Sequence, residues 1–163
     1  MAESMEPTAA VDSRNIVRFS IQDLALGEAR RVVVHNVPFM VLKPSRTMLE
    51  SLEQLDKHVW YRQRPKPLSG PDNIYVYSPI GERCPVVKMP PRDQDPFDLK
   101  RKWLGGYVDP CRDVSYDYAG RVIRTHEYTN NGYSRGLPSL YVPRYYIAGE
   151  VLEIDMSHGR TNQ

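Results

Sequence analysis

Fourteen prolines, spread over the whole length of this 163-residue chain, restrict its fold more than any other feature. Proline removes a backbone N–H donor and fixes φ, so it interrupts long helices and central strands alike. Ten glycines add further breaks. The segments between the breaks are short and rich in β-branched and aromatic residues, which favour strands. The sequence therefore predicts a mainly β fold with little helix.

The composition indicates one soluble globular domain. Hydrophobic residues make up 40% of the chain and charged residues 26%, which is enough to bury a core and is unlike a disordered or membrane-spanning chain. The formal net charge of +2 is too small to predict nucleic-acid binding from electrostatics alone. Two cysteines exclude a disulfide-rich scaffold.

Three strand regions follow from local patterns. Apolar runs at residues 30–34 and 38–42 predict an antiparallel hairpin. A short strand is predicted at 74–77, and runs at 145–148 and 151–154 flank Gly149 and predict a closing hairpin. We divide the chain into an N-terminal arm (1–14), a single domain (15–155) and a polar tail (156–163).

One helix is predicted after Pro44. Thr47 and Glu50 have the spacing of a capping box. Three apolar residues fall on one helical face, and the helix is expected to end near His58. These three are Met48, Leu52 and Leu55.

Two segments resemble the cluster-binding loops of Rieske iron–sulfur domains, above all those of the Rieske subunit of the cytochrome bc complex. They read YSPIGERCPV at 77–86 and GGYVDPCRDVSYDYAGRV at 105–122. In that family the loops read Cys-Thr-His-Leu-Gly-Cys and Cys-Pro-Cys-His-Gly-Ser, then a residue, then Tyr-Asp and, shortly after, Gly-Arg. The framework positions found here are Ser78, Ile80, Gly81, Pro110, Cys111, Tyr116, Asp117, Gly120 and Arg121. The resemblance covers roughly residues 20–155 and implies Rieske-like antiparallel sheets, one short helix and a degenerate cluster-binding subdomain inserted between the outer strands.

The same alignment leaves no cluster ligand in place. A Rieske centre needs two thiolates on one iron and two imidazoles on the other. The cysteine positions hold Tyr77 and Asp109, and the histidine positions hold Pro79 and Arg112. Proline has no side-chain donor atom, and arginine is permanently cationic. We therefore expect no metal, no other cofactor and no catalytic residue.

The family also joins its two loops by a disulfide. Its two positions correspond here to Glu82 and Cys111. Because Glu82 cannot form a disulfide, we expect Cys84 and Cys111 to be free thiols. A disulfide shifted to Cys84 is the alternative, and it would require the loop to change its register.

The resemblance implies a non-catalytic structural accessory subunit of a large mitochondrial assembly, foremost a respiratory-chain complex or supercomplex. Such a subunit would be held at the inner membrane by protein partners, without a membrane anchor of its own or a small-molecule substrate. The mitochondrial location is implied by the resemblance, since residues 1–14 show no import signal. The expected partner contacts are the arm and Pro79, Ile80, Arg83, Asp113 and Val114.

Three alternatives remain. A mitochondrial ribosomal or ribosome-assembly protein would use the basic and aromatic segments 61–67 and 142–149 to stack on RNA, although tyrosine is equally suited to protein interfaces. A [2Fe–2S] electron-transfer subunit would need new ligands. An enzyme would need Glu82, Asp109 and Cys111 to converge in a pocket.

Overall fold

The computed structural model describes residues 15–59, 74–81, 84–96, 98, 100–123 and 139–157. The predicted arm 1–14, the loop 61–72 and most of the predicted tail lie outside the described residues. Within the described ranges the chain forms nine strands, one α-helix and a 3₁₀ turn. The prediction of a mainly β fold is confirmed.

The strands form three antiparallel sheets of three strands each. The first sheet has the order β1 (Ile16–Ser20), β9 (Val151–Asp155), β8 (Arg144–Ala148). The second has the order β2 (Ala29–Val34), β3 (Val37–Leu42), β4 (Tyr75–Tyr77). The third has the order β5 (Val87–Met89), β6 (Gly106–Asp109), β7 (Val114–Tyr116). The third sheet is thus inserted in the chain between β4 and β8.

Two tight turns explain the predicted hairpins. His35 and Asn36 have φ of 47° and 66°, so a two-residue turn joins β2 to β3 and pairs Val34 with Val37. Positive φ at both central residues gives the turn the right-handed twist of its strands. Gly149 has φ of 61° in the turn between β8 and β9. Both hairpin predictions are confirmed.

The helix α1 (Arg46–Leu55) has its N-cap two residues earlier than predicted. Ser45, with extended backbone, accepts the Met48 N–H at 3.3 Å through its hydroxyl. Ser45 is therefore the N-cap, and the prediction that Thr47 caps the helix is wrong, because Thr47 already lies inside the first turn. A 3₁₀ turn over Asp56–His58 ends the element where the sequence predicts. No helix among the described residues is long and apolar enough to cross a membrane.

The core consists of three apolar clusters. The first fills the space between the first and second sheets and includes Phe19, Phe39 and Leu152. The second packs the helix against the second and third sheets, with Leu52 and several tyrosines fully buried. The third is smaller and includes Leu55, Trp103, Val108 and Ile123. The inserted third sheet therefore shares its core with the helix and is not an independent module.

Candidate functional site

A buried ion network ties the third sheet to the helix. The Asp117 carboxylate is fully buried and accepts the backbone N–H groups of Ala119 and Arg121, each at 2.9 Å. The Arg121 guanidinium donates to Asp117 at 2.7 Å, to Asp56 at 2.6 Å and to the carbonyl of Leu52 at 3.3 Å. Burial raises the pKa of Asp117, and the charge and hydrogen bonds of Arg121 offset part of that rise.

Gly120 forms the turn that brings Arg121 back to Asp117. Its φ is 77°, and it donates its N–H to the Asp117 carbonyl at 2.9 Å. A left-handed residue is needed there, as the sequence predicts. The Tyr-Asp and Gly-Arg pairs that carry the family resemblance therefore stabilise the fold directly.

Three tyrosines lie beside this network. The hydroxyls of Tyr77 and Tyr107 are hydrogen-bonded to each other, and the Tyr107 ring lies edge-on to Tyr77 and Tyr118 with centroids 5.2 and 6.1 Å apart. Burial raises the pKa of Tyr107 to about 12 and that of Tyr77 well above its usual value. We call this group the base: Tyr107, Tyr118, Asp117 and Arg121, which lie in or next to the third sheet, and Tyr77 of β4, which packs against them.

Two loops at the ends of these strands form what we call the tip. The first loop joins β4 to β5 and comprises residues 78–86, of which 82 and 83 lie outside the described residues. It folds back on itself, since Gly81 donates to the Cys84 carbonyl at 2.9 Å and Val86 to that of Pro79 at 2.8 Å. The second is the turn 110–113 between β6 and β7, where Asp113 has φ of 53°.

A disulfide between Cys84 and Cys111 joins the two loops, with their Cα atoms 6.3 Å apart. The prediction of two free thiols is therefore wrong. The first loop is closed by the backbone hydrogen bond from Gly81 to Cys84, and Cys84 lies opposite Cys111, so the disulfide pairs Cys111 with the residue two positions after Glu82. Glu82, the predicted former disulfide position, lies outside the described residues.

Asp109, at a predicted cysteine-ligand position, is completely buried beneath the disulfide. Its Oδ1 accepts the Cys111 N–H at 2.9 Å and lies 3.5 Å from the Cys84 sulfur, which carries no hydrogen in a disulfide. Its Oδ2 is buried and has no hydrogen-bond partner. A Cβ at Gly81 would lie 2.3 Å from this oxygen, so only glycine lets the first loop pass so close.

The remaining predicted contact residues divide between surface and core. Ile80 is 38% exposed, Asp113 is exposed and Pro79 is half-buried. Val114 is 5% exposed and packs in the second core cluster, so it is not available to a partner. Arg83 lies outside the described residues.

The tip residues do not fit a Rieske [2Fe–2S] cluster. The Tyr77 hydroxyl is occupied in the core by Tyr107, Pro79 offers no donor atom, and the half-buried Arg112 is a cation. Both cysteine sulfurs are bonded to each other. The same disulfide removes the thiol that an enzyme using Cys111 and Asp109 would need.

Two further surfaces bear on binding. Tyr145, in the proposed RNA-stacking segment, donates its hydroxyl to the Ile74 carbonyl at 2.7 Å, so it joins the first sheet to the second, whereas Tyr146 is 52% exposed. Segment 61–67 lies outside the described residues. A cleft of about 330 Å³ between the helix and the third sheet was not predicted from the sequence, because its walls come from four separate segments. It is lined by Thr47, Met48, Lys88, Pro90, Pro91, Leu104 and Tyr118.

Comparison with known proteins adds no relative to this picture. No family model matches the chain, and a search of the curated proteins finds no match.

Proposed function

We propose that this protein is a non-catalytic, cluster-free, Rieske-like structural subunit of a large mitochondrial assembly, foremost a respiratory-chain complex or supercomplex. One observation carries the proposal. Two framework residues of the resemblance, Asp117 and Arg121, form a buried ion pair at the base, while the ligand positions hold none of the cysteines and histidines of the family. A site that keeps its shape and loses its donor atoms favours binding over chemistry.

The sheet topology supports the same proposal. The resemblance implies a subdomain inserted between outer strands, and the third sheet lies between β4 and β8 in the chain. Its two terminal loops are joined covalently by Cys84 and Cys111. The disulfide gives the tip a defined shape without a cluster, because it limits how far the loops can separate.

The surface of the tip supports a role in docking. Ile80 and Pro85 of the tip are exposed, Ile80 by 38%, and Val87, which follows the tip in β5, is 51% exposed. The exposed Asp113 places a negative charge at the edge of this apolar surface. Exposed apolar side chains bordered by charge are typical of protein interfaces.

Native affinity purification of the tagged protein from its source, followed by mass spectrometry, tests the proposal directly. We expect subunits of a respiratory complex in stoichiometric amounts, and no iron in this protein after it has been separated from those subunits. Co-purifying rRNA and ribosomal proteins would favour the ribosomal alternative, for which the exposed Tyr146 is the supporting observation. Stoichiometric iron with a visible charge-transfer spectrum would favour electron transfer.

The placement of the interface is tested by Ile80→Asp combined with deletion of residues 1–14. We expect this variant to lose most of its occupancy in the complex, because a charge in an apolar contact is costly. Leu26→Asp is the matched control, since Leu26 is 72% exposed and lies outside the tip. Wild-type occupancy of the combined variant would exclude the tip and arm as the contact.

A further inference from the structure

We infer that the tip becomes a zinc-binding site when the Cys84–Cys111 disulfide is reduced, with the two cysteine thiolates and the Asp109 carboxylate as protein ligands. This inference goes beyond the proposed structural role and does not depend on it. The proposed site differs from a Rieske centre in its ligands. Cys84 does not correspond to a cluster-ligand position, Cys111 corresponds to a disulfide position of that family, and Asp109 supplies a carboxylate.

The geometry of the donor atoms supports zinc. One donor atom from each of Cys84, Asp109 and Cys111 lies within 4.8 Å of the others. In a tetrahedral zinc site, Zn–S bonds of about 2.3 Å and Zn–O bonds of about 2.0 Å separate a sulfur from an oxygen by about 3.5 Å. The Cys84 sulfur and Asp109 Oδ1 already lie 3.5 Å apart. One edge of the tetrahedron is therefore present before the metal binds.

The separation of the two sulfurs has to increase. The same bond length places two zinc-bound thiolates about 3.8 Å apart, compared with about 2.05 Å in a disulfide. Rotation of the two cysteine side chains can supply this difference while the neighbouring strands β5, β6 and β7 stay in place. Cys111 is exposed and Cys84 half-buried, so the fourth position would face solvent and hold a water molecule.

The state of Asp109 is an independent reason to expect a cation. Its carboxylate is completely buried, receives one backbone hydrogen bond and leaves Oδ2 without a partner. A buried carboxylate is unfavourable unless it is paired or coordinates a metal ion. Gly81 closes the opposite side of this oxygen, so the carboxylate cannot turn away without moving the loop.

The ligand set selects zinc over other common cations. Two thiolates exclude Mg²⁺ and Ca²⁺, which require oxygen ligands, while a mixed sulfur and oxygen set suits Zn²⁺. The half-buried Arg112 lies next to Cys111 and weakens the attraction for a cation. Three anionic ligands outweigh that single positive charge.

The reaction balances as two steps. A dithiol reductant transfers two electrons and two protons to the disulfide and is itself oxidised to a disulfide. Zn²⁺ then binds with release of the two thiol protons and no change in its oxidation state. Transfer of two electrons from the thiolates to a disulfide oxidant, which is reduced to a dithiol, restores the Cys84–Cys111 bond and releases Zn²⁺.

The test uses the full chain, reduced under anaerobic conditions and freed of reductant. We expect the reduced protein to bind one equivalent of Zn²⁺ in calorimetry, and Co²⁺ to give the visible bands of a tetrahedral thiolate site. The oxidised protein is expected to bind neither. Zn²⁺ should also slow alkylation of both thiols by at least tenfold.

Two matched variants separate a built site from a simple cysteine pair. Asp109→Asn is expected to weaken zinc binding by at least tenfold, whereas Asp113→Asn, at an exposed acid of the same turn, should change it less than twofold. Near-ultraviolet circular dichroism checks that Asp109→Asn is folded. If Asp109→Asn is unfolded, Zn²⁺ binding is compared instead between the reduced, folded wild type and the reduced wild type unfolded in guanidinium. If the folded chain binds Zn²⁺ no better than the unfolded chain, the inference is overturned. Equal binding by both variants overturns it as well.

Discussion

The two ends of the third sheet are stabilised in different ways. At the base, Arg121 contacts Asp117, Asp56 and the end of the helix, so electrostatics, hydrogen bonds and packing all act on the same residues. At the tip, one disulfide joins two loops above a buried carboxylate with few partners. The difference indicates that the base is required for folding, whereas the tip is free to change its chemistry while its shape is kept.

Arg121→Met is expected to have the largest effect. It leaves the Asp117 carboxylate buried without its counter-charge, which costs about 3–5 kcal/mol of unfolding free energy. The control is Arg46→Met, which removes an ion pair between Arg46 and Glu50 on a side chain that is 92% exposed, and should cost less than about 0.5 kcal/mol. Urea unfolding measures both. Equal losses would show that the base is no more important than the surface.

Removal of the disulfide comes next. Cys84→Ala with Cys111→Ala frees a loop of sequence separation 27, and we expect a loss of about 2–4 kcal/mol. Hydrogen exchange should accelerate at the tip and change little at the base. Alkylation of the unfolded, unreduced wild type should label neither cysteine. Labelling of both would mean that the loops are not joined and that the tip is held by packing alone.

Two glycine substitutions compare the ends at closer range. Gly106→Ala places a Cβ 2.1 Å from the Tyr116 carbonyl oxygen at a φ of 146°, so both backbone strain and a backbone clash oppose it. Gly81→Ala meets only the Asp109 side chain. We expect both to lose about 1–3 kcal/mol, with Gly106→Ala at the upper end. Thermal unfolding of the two variants measures both losses of stability. A larger loss for Gly81→Ala would mean that the tip tolerates an added methyl group less well than the base.

The smallest effect is a pH dependence of the base. The pKa of Tyr107 is raised from 10.0 to about 12 in the folded protein, so the unfolded chain releases this proton first as pH rises. Stability should be constant below about pH 9 and fall between pH 10 and 12, by roughly 0.8 kcal/mol at pH 10.5 for this one group. Tyr107→Phe should reduce that slope. If the decrease of unfolding free energy with pH were the same in Tyr107→Phe as in the wild type, Tyr107 would not be its source.

Local patterns predicted the elements well, because turns and periodicity are short-range properties. The two hairpins follow from β-branched runs around turn residues, and the role of Gly120 follows from its place in a tight turn. The cap was misplaced by two residues, since Ser45 and Thr47 are equally good capping residues and only the backbone of Ser45 decides between them.

The site was predicted less well, because its contacts are long-range. Whether Cys84 faces Cys111 depends on the path of a loop that closes through backbone hydrogen bonds, and the sequence does not reveal that path. The contact between Arg121 and Asp56 spans 65 residues. Val114 was expected to contact a partner because it lies in the second segment that resembles a Rieske loop, yet the strand directs its side chain into the core.

The pairing of β1 with β9 determines when this chain can finish folding. The ion pair between Arg18 and Glu153 joins these strands across 135 residues of sequence. During synthesis β1 leaves the ribosome first but finds its partner only after the helix, the second sheet and the inserted third sheet have emerged. Until then its hydrogen-bonding edge is exposed, and long-range pairing of this kind is slow and prone to aggregation. Truncation just before β9 should therefore produce a chain that depends on chaperones, even though all residues of the base and tip are present.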